Sequence, residues 1–287
     1  MSANMSSVKP LVEPGTAVAP EVVPAESKLS WLQLPSFAPL NARADRMACR
    51  GCGRKSKYFC PQCKVFMGDI IDGTVPRIDL PIDLHIMHHP KEKLAKSTAV
   101  HAAVLAPNTT YFHEFPDIPR FDAGDTLLVY PDPAAPTLDD LAAAGKLANY
   151  TRVVFVDAQW RQSRAVMRHA NLQDLPRVRM NSYETLFWRY QPGMDATYLA
   201  TIEAIYYFYR EYARAAADDG SYDGRYDGLM YLFAHQYELI QGVYNSTGAR
   251  FGHIPSFPRI AQNAAADQPV DKPADKHVDT PADKPAE

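Results

Sequence analysis

The sequence predicts an α/β domain with a mostly parallel sheet flanked by helices. Short apolar runs rich in β-branched residues alternate along the chain with stretches of helical periodicity. The run Arg152–Asp157 reads Arg-Val-Val-Phe-Val-Asp, as a strand buried on both faces does. At 287 residues the chain has room for one large domain, or two smaller ones, with tails.

The elements follow in chain order. Strands are predicted at 82–87, 126–130 and 152–157, and helices at 97–105, 162–170, 195–216 and 222–244. In the helix predicted at 195–216, apolar residues recur at three- and four-residue spacing, so one face packs against a core. They are Leu199, Ile202, Ile205, Tyr206 and Tyr209. The helix at 222–244 also has an apolar side and is expected to close the domain.

Both ends of the chain are predicted to be disordered. Residues 1–30 are rich in Pro, Ala and Ser, and such a segment buries too little apolar surface to offset the entropy of ordering it. In residues 261–287 an acid recurs every four residues from Asp267, and four prolines each follow an acid by two places. Proline at this density blocks helix and sheet, so we interpret this acidic tail as an extended, solvated segment.

Charge and hydropathy exclude several classes of protein. The formal net charge is −3, and the six acids and three lysines of residues 267–287 account for all of it. No global basic excess remains, and we expect no DNA partner. No run of about 18 apolar residues predicts a membrane span, and the first 30 residues lack the apolar core of a secretion signal. We therefore predict a protein of the nucleus or the cytoplasm.

Four cysteines within fifteen positions predict a structural zinc site. Cys49-x-x-Cys52 and Cys60-x-x-Cys63 each supply two thiolates, which together complete a tetrahedral shell and leave no position for water. A redox-active dithiol pair is the alternative. We place this zinc ribbon at residues 43–68.

The ribbon segment is also basic. Residues 43–64 carry seven cations against Asp45 alone, a local net charge of +6. The cations are Arg43, Arg46, Arg50, Arg54, Lys55, Lys57 and Lys64. A compact positive module suits contact with an RNA phosphate backbone, although zinc ribbons also mediate protein contacts.

Asp157 is the first candidate catalytic residue. Ligands of open parallel sheets bind at the carboxyl ends of the strands, and Asp157 ends the most strand-like run of the sequence. In the helix that follows, Arg161, Arg164 and Arg168 share one face, and their charge adds to the positive end of the helix dipole. An anion, such as a substrate carboxylate or an RNA phosphate, is expected there. The alternative is that Asp157 caps the helix and the arginines form a solvated face.

Three histidines, His85, His88 and His89, surround the end of the strand at 82–87. Strand alternation puts His88 and His89 on opposite sides, which disfavours joint ligation of a metal.

Two other features are candidates for binding. Lys96, Ser97 and Thr98 stand at a helix start, where they either receive an anion or cap the helix. Glu203 stands in an otherwise apolar helix. Because a buried acid needs a partner, we expect a cavity, an arginine or a ligand amine beside it.

In their order and spacing, five motifs resemble the eukaryotic DTW-domain proteins of the zinc-bearing type. They are the Cys-x-x-Cys pair, His89-Pro-x-Glu92 with Lys96-Ser-Thr98, Asp157-Ala-Gln-Trp160, Phe187-Trp-Arg189 and Thr201-Ile-Glu-Ala-Ile205. The resemblance covers residues 47 to about 248, and we place the DTW α/β catalytic domain at 69–255. Gln159 stands where the family usually has Thr, so the role of a hydroxyl there is open.

The resemblance implies a SPOUT-like fold and a tRNA-uridine aminocarboxypropyltransferase. Such enzymes move the 3-amino-3-carboxypropyl group of S-adenosylmethionine onto N3 of a uridine, in eukaryotes in the tRNA D-loop. The implied co-substrate is S-adenosylmethionine and the implied partner is tRNA. Whether the backbone is knotted, and which oligomeric state it adopts, stays open. The alternatives are an RNA methyltransferase with the same donor and a non-catalytic zinc-ribbon RNA-binding protein.

This chemistry implies roles for the candidate residues. Asp157 accepts the N3 proton, or positions the nucleophile or the donor's amine. Arg161 or Arg164 pairs with the donor carboxylate, Trp160 stacks on the uracil or the adenine, and Glu203 binds the amine. The other residues expected in the substrate and donor site are His89, Lys96, Ser97 and Thr98.

Overall fold

A computed structural model describes residues 28–68, 70, 73–188 and 195–247, with only the backbone for Trp160, Arg161 and Thr247. The acidic tail and nearly all of the N-terminal tail, both predicted to be disordered, lie outside the described residues. Residues 28–31 form a turn in which the Trp31 indole N–H donates to the Lys28 carbonyl at 3.1 Å. None of the described helices is long and apolar enough to cross a membrane.

A five-stranded parallel sheet forms the centre of the domain. Its strand order is β6-β5-β8-β7-β9, and every neighbouring pair is parallel. In chain order the strands are β5 (Asp83–His88), β6 (Thr110–Glu114), β7 (Thr126–Val129), β8 (Arg152–Asp157) and β9 (Arg177–Val178). The prediction of an α/β fold with a parallel sheet flanked by helices is confirmed.

Seven α-helices belong to the described chain. They are α1 (Ala38–Asn41), α2 (Ala99–Leu105), α3 (Leu138–Ala143), α4 (Trp160–Met167), α5 (Ala170–Gln173), α6 (Thr201–Ala216) and α7 (Tyr231–Thr247), with short 3-10 helices at Leu147–Asn149 and Asp227–Met230. Helices cover both faces of the sheet. The side chains of β8 show this, because they alternate between the two faces and contact a different helix on each. Val154 joins a buried cluster with Val166 of α4, and Phe155 packs edge-on against Phe208 of α6 at 5.6 Å.

The helix predicted at 195–216 begins six residues later in the structure, at Thr201. The Asp195 carboxylate accepts the backbone N–H of Thr197 at 2.7 Å, so the chain turns here instead of continuing a helix. The helix predicted at 222–244 is likewise replaced at its start by a turn with Gly224 at φ +84°, followed by the second 3-10 helix and α7. The periodic apolar residues begin only at Leu199 and Tyr226, so periodicity did not define where either helix starts.

Two small hairpins precede the sheet. Strand β1 (Met47–Ala48) pairs with β2 (Lys55–Ser56), and β3 (Phe59–Cys60) pairs with β4 (Val65–Phe66), both antiparallel. Aromatic side chains of this segment pack on the helical layer. The ring centroids of Phe59 and His101 of α2 are 5.3 Å apart, and those of Tyr58 and His235 of α7 are 4.9 Å apart.

Candidate active site and metal centre

Asp157 lies at the carboxyl end of β8 and is 2% exposed. Its Oδ2 lies 2.7 Å from His88 Nδ1 and accepts the Ser97 hydroxyl at 2.8 Å, while its Oδ1 accepts the Thr201 hydroxyl at 2.9 Å. His88 is the register partner of Asp157 on the adjacent strand β5, so both side chains leave the same face of the sheet. The structure thus brings together a buried carboxylate and three side-chain partners at one strand end.

The first turn of α6 lies against this carboxylate. Thr201 is the first residue of the helix, and the Thr98 hydroxyl accepts the backbone N–H of Ile202 at 3.2 Å. The carboxylate of Asp157 therefore lies at the positive end of the dipole of a 16-residue helix. Ser97 also accepts the Ala99 N–H at 3.1 Å, which leaves its hydroxyl hydrogen for Asp157.

The alternative in which Asp157 caps the following helix is wrong. Helix α4 starts after the N-cap residue Gln159, and Asp157 lies two residues earlier with its carboxylate directed to the partners on β5 and α6 and at Ser97. Only a tight turn separates β8 from α4. The side chain of Asp157, the last residue of the strand, therefore projects from the face of the sheet and not along the axis of α4.

The three histidines of this region have different partners. His88 contacts Asp157, whereas His89 Nδ1 accepts the Lys91 N–H at 3.1 Å and its ring stacks on Phe115 at 5.4 Å. His85 lies on the opposite face of β5, with Nδ1 3.0 Å from His113 Nε2. Within the described chain, the only group of three or more potential metal ligands is the cysteine cluster.

Other predicted site residues stand at or near the same edge. Ser97 and Thr98 are buried, and Lys96 is exposed. Arg164 is exposed on α4, the helix that follows Asp157. Trp160 and Arg161 open that helix, but their side chains lie outside the described part of the structure, as does Arg189. The donor and substrate contacts of these residues stay predictions.

Glu203 is buried, with 2% of its surface exposed, and has three donors. It accepts the Thr185 hydroxyl at 2.6 Å and the backbone N–H groups of Leu186 and Ala200, both at 2.7 Å. Burial raises the pKa of this carboxyl, and the three donors partly oppose that shift. The partner that the sequence required is therefore supplied by the chain itself. A contact with the donor amine stays a prediction.

A second buried glutamate on α6 was not found from the sequence. Glu211 accepts the Tyr183 hydroxyl at 2.8 Å and the backbone N–H of Asn181 at 2.9 Å, and burial raises its pKa. The Tyr183 ring stacks on Tyr207 with centroids 3.7 Å apart. Two acids eight residues apart on one helix, Glu203 and Glu211, thus fix the segment 181–186 along α6. That eight-residue spacing on a buried face was the available signal.

The four cysteines converge as predicted. Their sulfur atoms all lie within 4.8 Å of one another, and the Sγ atoms of Cys52 and Cys60 are 3.4 Å apart. In a tetrahedral zinc site with Zn–S bonds of about 2.3 Å, the sulfurs lie about 3.8 Å apart. The donor set and its spacing therefore fit a zinc ion held by Cys49, Cys52, Cys60 and Cys63.

The two cysteine loops have the same backbone geometry. The residue after each loop donates its N–H to the first cysteine's carbonyl, Gly53 to Cys49 at 2.8 Å and Lys64 to Cys60 at 2.7 Å. Both residues have left-handed φ angles, +72° and +57°. These turns aim both sulfurs of each loop at one point, as zinc knuckles require.

Ionisation of the cysteines also favours a cation. Backbone N–H groups of Cys52 and Gly51 lower the pKa of Cys49 to about 7. Hydrogen bonds with the neighbouring sulfurs of Cys52 and Cys49 raise the pKa of Cys63 to about 12. Four thiolates this close repel one another, so the full set of ligands needs a bound cation.

A parallel sheet with a buried carboxylate at its carboxyl edge, together with a four-cysteine cluster that fits zinc, defines an α/β protein of the zinc-ribbon type. The chain belongs to the DTW domain family, whose model matches residues 57–241. The family predicted from the motifs is thereby confirmed.

The chain is similar to several named relatives. It is 31% identical to the tRNA-uridine aminocarboxypropyltransferase 1 of Mus musculus over 244 residues, which cover 71% of this chain and 80% of the relative. The protein of the same name from Homo sapiens is 27% identical over 241 residues, covering 70% and 79%.

One solved structure also matches. It is the SAM-dependent rRNA:acp-transferase Tsr3 from Vulcanisaeta distributa, with 14% identity, a TM-score of 0.37, and coverage of 57% of this chain and 82% of that one. A similarity at this TM-score supports no conclusion.

Proposed function

We propose that this protein is a tRNA-uridine aminocarboxypropyltransferase. It transfers the 3-amino-3-carboxypropyl group of S-adenosylmethionine to N3 of a uridine in the tRNA D-loop. Family membership and the names of the relatives support the activity. The observation that carries the proposal is that two motifs far apart in sequence, around Ser97 and Thr201, meet at the carboxylate of a third, Asp157.

The reaction needs no general acid. N3 of the uridine attacks the γ-carbon of the methionyl chain, the bond between that carbon and sulfur breaks, and the electron pair returns to sulfur. The leaving group is neutral methylthioadenosine, so no proton has to be donated to it. The site must take up the N3 proton and hold donor and uridine in line, which is work for positioned polar groups at a largely buried site.

Residues on both sides of Asp157 supply the donor site. Arg164, or Arg161 one turn earlier, pairs with the donor carboxylate, and Trp160 stacks on the uracil or the adenine. His89, Lys96, Ser97 and Thr98 line the opposite side, and Glu203 holds the edge together or receives the donor amine. Asp157 contributes by positioning the side chains that it hydrogen-bonds, those of His88, Ser97 and Thr201.

The ribbon at residues 43–68 holds zinc and docks on tRNA, while residues 69–255 bind the donor and react. Arg46, Arg54 and Lys55 are exposed, as phosphate contacts must be. Lys57 and Lys64 instead lie over the rings of Tyr58 and Phe112 at 5.2 and 4.7 Å. The docking surface is therefore the exposed subset of the basic residues.

Nucleoside mass spectrometry of tRNA incubated with the purified protein and S-adenosylmethionine tests the function. We expect a uridine heavier by one aminocarboxypropyl group and released methylthioadenosine in equal amount. Mass spectrometry of ribonuclease fragments of the same tRNA should locate the product in the D-loop. A uridine heavier by only a methyl group, with S-adenosylhomocysteine released, would identify a methyltransferase instead. Bound tRNA that gains no mass at all would identify a non-catalytic RNA-binding protein.

A further inference from the structure

Asp157 is poorly placed to remove a proton from the substrate itself. Its side chain is 3% exposed, and one oxygen already has two partners while the other has one. An ionised carboxylate has about four lone-pair positions, so three of them are in use. A base that receives a proton from a uridine must present an available lone pair to it. The one remaining position of Asp157 belongs to a nearly fully buried side chain.

His88 lies beside Asp157 and can present a lone pair. Its Nδ1 is 2.7 Å from Asp157 Oδ2, and that oxygen also accepts the Ser97 hydroxyl at 2.8 Å. An ionised carboxylate only accepts hydrogen bonds, so the Nδ1 atom carries the hydrogen and Nε2 carries the lone pair. The two nitrogens flank Cε1 and point outward in divergent directions, so Nε2 points away from Asp157. The His88 side chain retains 8% exposure.

We propose that His88 Nε2 takes the N3 proton of the uridine and that Asp157 fixes the tautomer and orientation of His88. This inference rests on the proposed function and names the base within the same site. As N3 forms its bond to the γ-carbon and sulfur takes the electron pair, the N3 proton moves to Nε2. The resulting imidazolium is stabilised by the Asp157 carboxylate at its Nδ1 side, and it returns the proton to solvent after the product leaves.

Charged groups approach His88 from three elements of the chain. Asp157 approaches from β8, and Glu114 is the register partner of His88 on β6. Lys64 of the ribbon places its ammonium 4.7 Å from the centroid of the Phe112 ring. The centroids of the Phe112 and His88 rings are 6.2 Å apart. Phe112 therefore lies next to both the cation and the imidazole. The charged group that contacts His88 directly is the Asp157 carboxylate, 2.7 Å from its Nδ1.

A pair of substitutions separates a base from a purely structural histidine. In His88→Asn the amide N–H₂ takes the place of Nδ1–H, so the hydrogen bond to Asp157 is kept and Nε2 is removed. Single-turnover transfer should fall by about 10² to 10⁴-fold, and the remaining rate should rise with pH because the uridine must lose its proton to water. His113→Asn on the opposite face of the sheet is the control and should transfer like the wild type.

His88→Gly adds a second measurement that does not depend on the fold of the first variant. Added imidazole should restore part of its transfer rate, in proportion to the concentration of neutral imidazole. Wild-type transfer by a folded His88→Asn protein, with an unchanged pH profile, would overturn the inference. Absence of aminocarboxypropyl transfer by the wild type would overturn the proposed function instead, so the two failures are distinct.

Discussion

Asp157 is connected to residues that are 44 to 69 positions away in the sequence. The three hydrogen-bond partners of Asp157 all donate to it. The site therefore requires a carboxylate at this position, which only accepts hydrogen bonds. Replacing one carboxylate oxygen by an amide N–H₂ places donor against donor. The same replacement permits the other tautomer of His88, which would turn a hydrogen toward the substrate in place of a lone pair.

Asp157→Asn should therefore lose transfer while it keeps donor binding. We expect single-turnover transfer to fall about 10² to 10⁴-fold and the free energy of unfolding to fall by about 1–3 kcal/mol from the mismatched buried donors. Arg164→Ala is the contrasting variant, since it should first weaken donor binding. A folded Asp157→Asn protein with wild-type single-turnover transfer would remove Asp157 from the mechanism.

His85 and His113 make the stability of the protein depend on pH. Burial lowers the pKa of His85 to about 4, with smaller contributions from the charges of His113 and Arg152, and burial lowers the pKa of His113 as well. The unfolded chain binds a proton near pH 6.5, whereas folded His85 does not until about pH 4. The stabilisation is therefore complete above about pH 6.5 and is lost as the pH falls through that window.

Thermal melts of the wild type and His85→Gln between pH 8 and pH 4 measure this effect. The two melting temperatures should converge as the pH falls, because the variant has no proton to bind at this position. Glu203 and Glu211 have raised pKa values and give the opposite slope, but they are present in both proteins and cancel in the difference. Parallel curves for the two proteins would contradict the prediction.

At the scale of elements, the ribbon depends on its metal ligands in addition to its aromatic contacts with α2 and α7. Its four strands have two residues each, too short to be stable alone. Binding of the metal is folding free energy for such a module. The basic residues are therefore displayed correctly only when the cysteines are loaded.

Cys60→Ser should release the metal and unfold the ribbon, because Cys60 is fully buried and one of four ligands. Metal analysis of wild-type protein purified without chelator should give about one zinc per chain, and the variant much less. Cys60→Ser should also lower the melting temperature. Zinc near zero in the wild type would show that the four cysteines do not form a structural zinc site.

Charge reversal of the ribbon tests its contact with tRNA. Arg54→Glu combined with Lys55→Glu should weaken tRNA binding and flatten its salt dependence, since each neutralised phosphate contributes about one unit to the slope of log K against log salt. Arg120→Glu with Lys146→Glu reverses two exposed cations elsewhere and is the matched control. An unchanged slope in the ribbon variant would count against docking through the ribbon.

Some elements could be predicted from sequence and others could not, for physical reasons. Strand β8 has its predicted bounds, because a strand buried on both faces has a continuous apolar pattern. Strand β6 was missed because Tyr111 and Glu114 are exposed on a sheet edge and break that pattern. The cysteine cluster follows from local spacing. The partners of Asp157 and Glu203 depend on strand register and on loop placement, which local spacing does not specify.

On the scale of the whole molecule, the parallel sheet explains why distant motifs meet. Strands β5 and β8 are adjacent and in register, so His88 and Asp157 end at the same edge although 69 residues separate them. The crossover after β5 brings Ser97 to that edge, and α6 starts there with Thr201. A family signature spread over more than 100 residues thus becomes a single site.

We predict that the acidic tail is dispensable for the reaction. A chain ending at residue 260 loses six acids and three lysines, which changes the net charge from −3 to zero. Long-range repulsion of tRNA should then decrease slightly, and only at low salt, where charges are not screened over the Debye length of about 10 Å. The chemical step should be unaffected, because the groups proposed for it lie between residues 88 and 203.

We therefore expect the chain ending at residue 260 to transfer at the wild-type rate with saturating tRNA and donor. A full-length variant with three of the six tail acids changed to their amides is the matched control, since the net charge of the chain then also becomes zero while the length and the prolines are kept. If truncation and the amide variant both accelerate tRNA association at low salt, the tail acts through charge alone. A lower saturating rate after truncation, with an unchanged rate in the amide variant, would contradict the expectation and show that the tail segment itself contributes to the reaction.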